Sequence, residues 1–135
     1  MSHCNVTLQH YPPSIFLPHT GAGYDNAFVF SDWDGKTMQD VVTVKSPKTG
    51  ISMVMSTDQP SVQIYTGNFL NATDATKIPR KASQGGPDQY YHWRGAITFE
   101  AQHYPDSIHF PHFPSTILRT GQVYTQRTSY RFSNA

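Results

Sequence analysis

The chain has 135 residues, ten Lys plus Arg against nine Asp plus Glu, and a net charge of +1. That length suits one domain over residues 1–135, with a core that buries roughly two-thirds of the unfolded chain's surface. Charges this balanced, spread without blocks, give no electrostatic footprint for nucleic acid or an anionic membrane, and favour a neutral, polar ligand.

In the first twenty residues Gln, His and Pro interrupt every apolar run, so no signal-peptide core can be drawn. No run in the chain approaches the 18 or so apolar residues of a membrane span. The single cysteine, Cys4, cannot form an internal disulfide. A cytoplasmic location is the expectation. Two Asn-x-Thr triplets, at Asn5 and Asn71, argue for secretion as the alternative.

Ten prolines and nine glycines break every stretch before an apolar 3.6-residue period can run for three turns. The expected class is therefore all-β, an antiparallel sandwich with little or no helix. Strands are predicted over residues 27–30, 41–45, 51–56, 62–66, 96–101 and 123–132, where β-branched and aromatic residues alternate with polar ones. Between the second and third lies Ser46-Pro47-Lys48-Thr49-Gly50, a hairpin turn in which Pro sets one dihedral and Gly supplies a positive φ. The polar stretch 67–89 is too long for an ordinary connection. The proline-punctuated aromatic stretch 103–114 reads as an ordered loop.

Glu100, the only glutamate, interrupts the apolar run Ala96-Ile97-Thr98-Phe99-Glu100-Ala101. Alternation places Ile97 and Phe99 on one face, and Ala96, Thr98 and Glu100 on the other. On a concave face Glu100 is a candidate general base; the competing reading is a solvated side chain on an edge strand. Asp25 follows Gly21-Ala22-Gly23-Tyr24, so a glycine turn delivers an acid and an aromatic ring, Tyr24, to a strand mouth. Sugar sites use that pairing: carboxylates accept hydroxyl hydrogen bonds and aromatic faces cover C–H surfaces. An Asx turn that merely starts the strand is the plainer account. Among the seven histidines only His109 and His112 are closely spaced, and Pro111 and Pro114 oppose the helix that would bring them onto one face, so no metal site is expected. Neither a nucleophile elbow nor a phosphate-binding loop is present.

Four blocks stand in order: Gly23-Tyr24-Asp25-Asn26-Ala27-Phe28-Val29-Phe30; Gln59-Pro60-Ser61-Val62-Gln63-Ile64-Tyr65-Thr66-Gly67-Asn68-Phe69-Leu70; Phe99-Glu100-Ala101-Gln102-His103-Tyr104-Pro105-Asp106; and Phe113-Pro114-Ser115-Thr116-Ile117-Leu118-Arg119-Thr120-Gly121. Together with the closing Tyr130-Arg131-Phe132-Ser133, the chain over about 19–133 resembles the C-terminal part of the aldose 1-epimerase family, with residues 1–18 unmatched. The resemblance implies part of a galactose mutarotase-like supersandwich. It implies an isomerase that interconverts the α and β anomers of free hexoses such as galactose or glucose, without metal or organic cofactor. Glu100 would take the proton from the C1 hydroxyl while a histidine protonates the ring oxygen. Asp25, Tyr24 and Gln102 would bind the sugar.

Two departures accompany the resemblance. Asp25 is followed by Asn26-Ala27 where the family commonly has His-Asn. The family's catalytic histidines lie in an N-terminal half whose motifs are absent; His3, His10 and His19 match none of them, which leaves His19, His92 and His103 as stand-ins for the acid. Half a sandwich exposes strand edges and apolar surface, so a homodimer or a missing N-terminal half is expected. A carbohydrate-binding or remnant domain without catalysis is the alternative function.

Overall fold

A computed structural model describes residues 5–8, 23–71, 77–86 and 88–134. Among the described residues seven strands run as β1 (Asn5–Leu8), β2 (Asp25–Val29), β3 (Gln39–Lys45), β4 (Ile51–Thr57), β5 (Ser61–Tyr65), β6 (Thr98–Gln102) and β7 (Thr128–Asn134). They form two antiparallel sheets, one of order β1-β3-β4-β7 and one of order β2-β5-β6. Among the described residues helix is confined to two 3-10 turns, Ala82–Gln84 and Ser107–His109. The all-β sandwich read from the sequence is the observed class.

The β3–β4 hairpin closes as its turn residues dictate. Gly50 adopts φ 75° and donates its N–H to the Ser46 carbonyl, while Ser46 donates to Ile51. The β3–β4 register shifts between Asp40 and Val42, a bulge that turns two consecutive valines inward: Val41 is 1 % exposed and Val42 0 %. With them Phe28, Phe30, Met53, Met55, Val62 and Ile64 make the core between the sheets, and Trp33, Val44, Phe99 and Ala101 pack against it.

Asp58, in the crossover from β4 to β5, ties the two sheets together. Its carboxylate, on a residue only 7 % exposed, accepts the Arg127 backbone N–H and Nε–H, both at 3.0 Å, and the Gln59 amide at 3.2 Å. Its carbonyl accepts the Trp33 indole N–H at 2.7 Å, and Arg127 reaches on to the Lys36 carbonyl at 2.9 Å. The last predicted strand is accordingly shorter than 123–132. Residues 122–127 are irregular because the Arg127 N–H is directed at Asp58 and the Gln126 amide at the Ala101 carbonyl, so pairing with β4 begins only at Thr128. β1, which no sequence signal marked, pairs along β3.

The turn into β2 is set by Gly23 at φ 85°. A Cβ there would lie 2.1 Å from Asn68 Oδ1 and 2.4 Å from Thr66 Oγ1. Those side chains hold the turn: the Tyr24 N–H donates to Thr66 Oγ1 at 2.9 Å, and Asn68 Nδ2 donates to the Tyr24 carbonyl at 2.8 Å.

Asp58→Ala should lower stability by about 2 kcal/mol, less than for a fully buried pair because the Arg127 side chain is 63 % exposed, read as the shift of a urea midpoint. Burial raises the Asp58 pKa, but the Arg127 and Gln59 hydrogen bonds outweigh it and hold the carboxyl below the usual range. Asp40 is lowered by the Ser56 hydroxyl and then by Arg131, and Asp34 to about 2, first by the Thr37 hydroxyl. Each binds protons more weakly folded than unfolded, so their stabilisation is complete above an unfolded pKa of about 3.9 and is lost as pH falls through the folded values. Urea midpoints should thus drop between about pH 4 and 2, and that drop should be smaller in Asp58→Asn. Gly23→Ala should cost at least about 1 kcal/mol, since it combines a positive φ with a collision; a melting temperature unchanged from the parent would refute the turn's role.

Candidate functional site

In the three-stranded sheet the rows across the strands alternate between core and outer face. Phe28↔Val62↔Ala101 and Asn26↔Ile64↔Phe99 are rows of the core face; Asp25↔Tyr65↔Thr98, Ala27↔Gln63↔Glu100 and Val29↔Ser61↔Gln102 belong to the other. Alternation in β6 therefore sends Phe99 to the core and Glu100 outward, as the sequence indicated. β6 is also an edge strand, so the decisive feature is what surrounds Glu100 there.

An open depression of about 460 Å³ lies over this face, lined by Asp25, Gln63, Tyr65, Phe69, Glu100, Gln102 and Pro105. Its floor is the β2-β5-β6 surface, and its rim comes from the turn after β5, which carries Phe69, and the loop after β6, which carries Pro105. The Tyr65 and Phe69 rings stack at 6.5 Å with an interplanar angle of 22°, and the Phe69 N–H donates to the Tyr65 hydroxyl at 3.0 Å. The aromatic rim is thus fixed by the backbone as well as by ring contact.

Two carboxylates face the depression. Asp25 accepts Gln63 Nε2 on Oδ1 at 2.8 Å, and Glu100 accepts the Thr98 hydroxyl on Oε1 at 2.8 Å. Thr98 precedes Glu100 by two residues on the same face, which is why it reaches. One oxygen of each acid is thereby oriented, and among the described residues no hydrogen bond engages Glu100 Oε2. The charge on Glu100 also reaches Tyr130 of the other sheet: burial first, and then that charge, push the Tyr130 hydroxyl pKa up, and the hydroxyl donates to the Phe99 carbonyl at 2.7 Å.

The structure thus brings Asp25, Glu100 and Gln102 together. Tyr24 lies beside Asp25, half-exposed with its ring 6.3 Å from Phe28, and does not line the depression. Gln63, Tyr65 and Phe69 went unmarked in the sequence reading. A signal existed: Gln63 interrupts Val62 and Ile64 as Glu100 interrupts Phe99 and Ala101.

Of the histidines weighed as acids, His92 and His103 are outside the lining, and His19, like His3 and His10, is outside the described residues. His103 belongs to the crossover network. The Gln59 amide nitrogen is engaged by Asp58, so its oxygen faces His103 Nδ1 at 3.1 Å and Nδ1 carries the proton; burial lowers the His103 pKa. His109 Nδ1 is hydrogen-bonded to Asp106, while the His112 ring meets Phe113 edge-on at 4.6 Å. Among the described residues no three His, Cys, Asp or Glu side chains converge as metal ligands.

A larger hollow of about 580 Å³ opens between the sheets at the β6 and β7 edges, walled by residues such as Val44, Ile51, Met53, Phe99, Tyr130 and Phe132. It contains no acid, amide or imidazole side chain, so the polar depression is the site with chemistry. Paired acids, two amides and stacked rings provide acceptors and donors for vicinal hydroxyls, an apolar rim for ring C–H groups, and a carboxylate oxygen for proton transfer.

A family model described as aldose 1-epimerase matches residues 2–131. The chain is 32 % identical over 113 residues to a galactose mutarotase of Mus musculus, an alignment covering 84 % of this chain and 30 % of the relative. It is 31 % identical to a galactose mutarotase of Homo sapiens with the same coverage. To an aldose 1-epimerase of Escherichia coli it is 32 % identical, over 82 % of this chain and 29 % of the relative. The chain thus spans about 30 % of the length of these relatives. A match over nearly its whole length, together with the all-β fold, establishes that the chain belongs to the aldose 1-epimerase family.

Proposed function

We propose that the depression binds a free hexose such as galactose or glucose and takes part in interconverting its α and β anomers, with Glu100 as the general base. The observation that carries this is the joint placement of Glu100 and Asp25 on one open face, each with one oxygen already oriented by a neighbour. Membership of a family whose relatives are named galactose mutarotase supports it.

In this reading Glu100 Oε2 takes the proton from the anomeric hydroxyl. The C1 to ring-oxygen bond breaks as the C1 carbonyl forms, and the ring oxygen receives a proton. Rotation about C1–C2 and the reverse steps give the other anomer. Asp25 accepts hydrogen bonds from sugar hydroxyls while the Gln63 and Gln102 amides both donate and accept, and Tyr65 and Phe69 cover the apolar edge. Each positioned proton-transfer group contributes typically 10²–10⁴-fold. The acid that protonates the ring oxygen is not among the seven lining residues.

Because Glu100 is the only glutamate, a ¹³C-carboxyl glutamate label yields one resonance, and it should move on titration with galactose or glucose. No movement at saturating sugar would remove Glu100 from the site. Polarimetry of freshly dissolved α-glucose should show relaxation faster than in buffer, with Glu100→Gln slowing the protein-dependent rate by about 10²–10⁴ while the melting temperature holds. Full rate in that variant would identify the wrong base, and binding without acceleration would restrict the chain to sugar recognition.

A further inference from the structure

Among the described residues β6 pairs on one side alone, with β5. An edge strand ordinarily turns a row of unpaired N–H and C=O groups to water and opens more readily than a central one. In β6 side chains occupy part of that row. The Tyr130 hydroxyl donates to the Phe99 carbonyl at 2.7 Å, and the Gln126 amide nitrogen donates to the Ala101 carbonyl at 2.8 Å. Residues two apart in a strand direct their backbone groups to the same side, so both carbonyls leave the edge away from β5. One belongs to the residue before Glu100 and the other to the residue after it.

Neither donor comes from the sheet that carries Glu100. Tyr130 lies in β7, opposite Met55 of β4, and Gln126 stands just ahead of β7. Both are held in turn. Gln126 accepts the Tyr124 hydroxyl on Oε1 at 2.8 Å, which turns its nitrogen toward Ala101, and the next residue, Arg127, is fixed by the Asp58 carboxylate through its N–H and Nε–H. Burial first, and then the charge on Glu100, push the Tyr130 pKa up, so the phenol stays a donor while Glu100 is ionised. On its other side Glu100 stands opposite Gln63 in β5. The backbone around Glu100 is therefore gripped from both sides, and the freedom left is that of its side chain, one oxygen of which already accepts the Thr98 hydroxyl.

We propose that Gln126 and Tyr130 are positioning residues for Glu100, which clamp its edge strand at the two flanking peptide carbonyls and so hold the carboxylate over the depression. The inference rests on the reading of Glu100 as the base, and extends it to residues of the opposite side of the sandwich that line no part of the depression. A misplacement of about 1 Å costs a positioned reaction up to about 10²-fold. Asp25, Gln63 and Tyr65 stand on β2 and β5, which the clamp does not touch, so sugar binding through them persists when it is released. Release of the clamp thus lowers kcat and spares KM.

Tyr130→Phe and Gln126→Met each delete one donor with little change of volume, and polarimetry with α-glucose together with amide hydrogen exchange tests them. Each variant should lower kcat about three- to tenfold, and the double variant up to about 10²-fold, with KM changed less than about twofold. Exchange, which needs no sugar, should accelerate at the β6 amides and stay at the parent's rate in β2. Parent-like kcat together with parent-like exchange in β6 would overturn the clamp while leaving Glu100 as the base. Exchange that accelerates equally in β2 and β6, with kcat and KM lost together, would reduce both residues to general stabilisers and overturn it as well. If the unmodified chain does not speed mutarotation, the reading of Glu100 falls and takes the positioning role with it.

Discussion

The arrangement depends on the Asp58 carboxylate. β4 ends in one sheet and β5 begins in the other, and between them the chain crosses the core edge as Asp58-Gln59-Pro60, all buried. Backbone crossing there needs partners for its polar groups, and Asp58 gathers four residues around it: Trp33, Gln59, Arg127 and, through Arg127, Lys36. A charge held this way is worth less for raw stability than for fixing where each segment lies. With β5 thus located, β2 and β6 pair on either side of it, and the outer face that carries the acids follows.

The site is built by register more than by loops. Glu100, Gln63 and Ala27 form one row, Thr98, Tyr65 and Asp25 the next, so side chains distant in sequence meet by sheet geometry alone. Loops supply only the rim, Phe69 and Pro105. Both oriented oxygens come from strand residues, on elements that resist displacement better than a loop tip does.

Glu100 was legible because a lone carboxylate in an apolar alternating run is a local anomaly, and its outward direction follows from counting by twos. Asp25 was legible from the glycine turn before it. Gln63 interrupts an apolar run as Glu100 does but carries no charge, so its role rests on its pairing with Glu100 and its bond to Asp25, both tertiary facts. The early part of the last predicted strand failed for a similar reason. Val123 to Arg127 has strand-like alternation, but the Ala101 carbonyl and the Asp58 carboxylate, both far away in sequence, capture the Gln126 side chain and the Arg127 N–H. β1 has no punctuation of its own and exists through its pairing with β3.

The alternation that separates core from site also guards the site against misassembly. If β6 slipped by one residue against β5, Glu100 and Gln102 would turn into the core while Phe99 and Ala101 faced water. The cost of burying an unpaired carboxylate would make that arrangement uncompetitive. The residue proposed to move the proton therefore acts as a proofreader of strand assembly, and chains that fold at all carry it on the correct side.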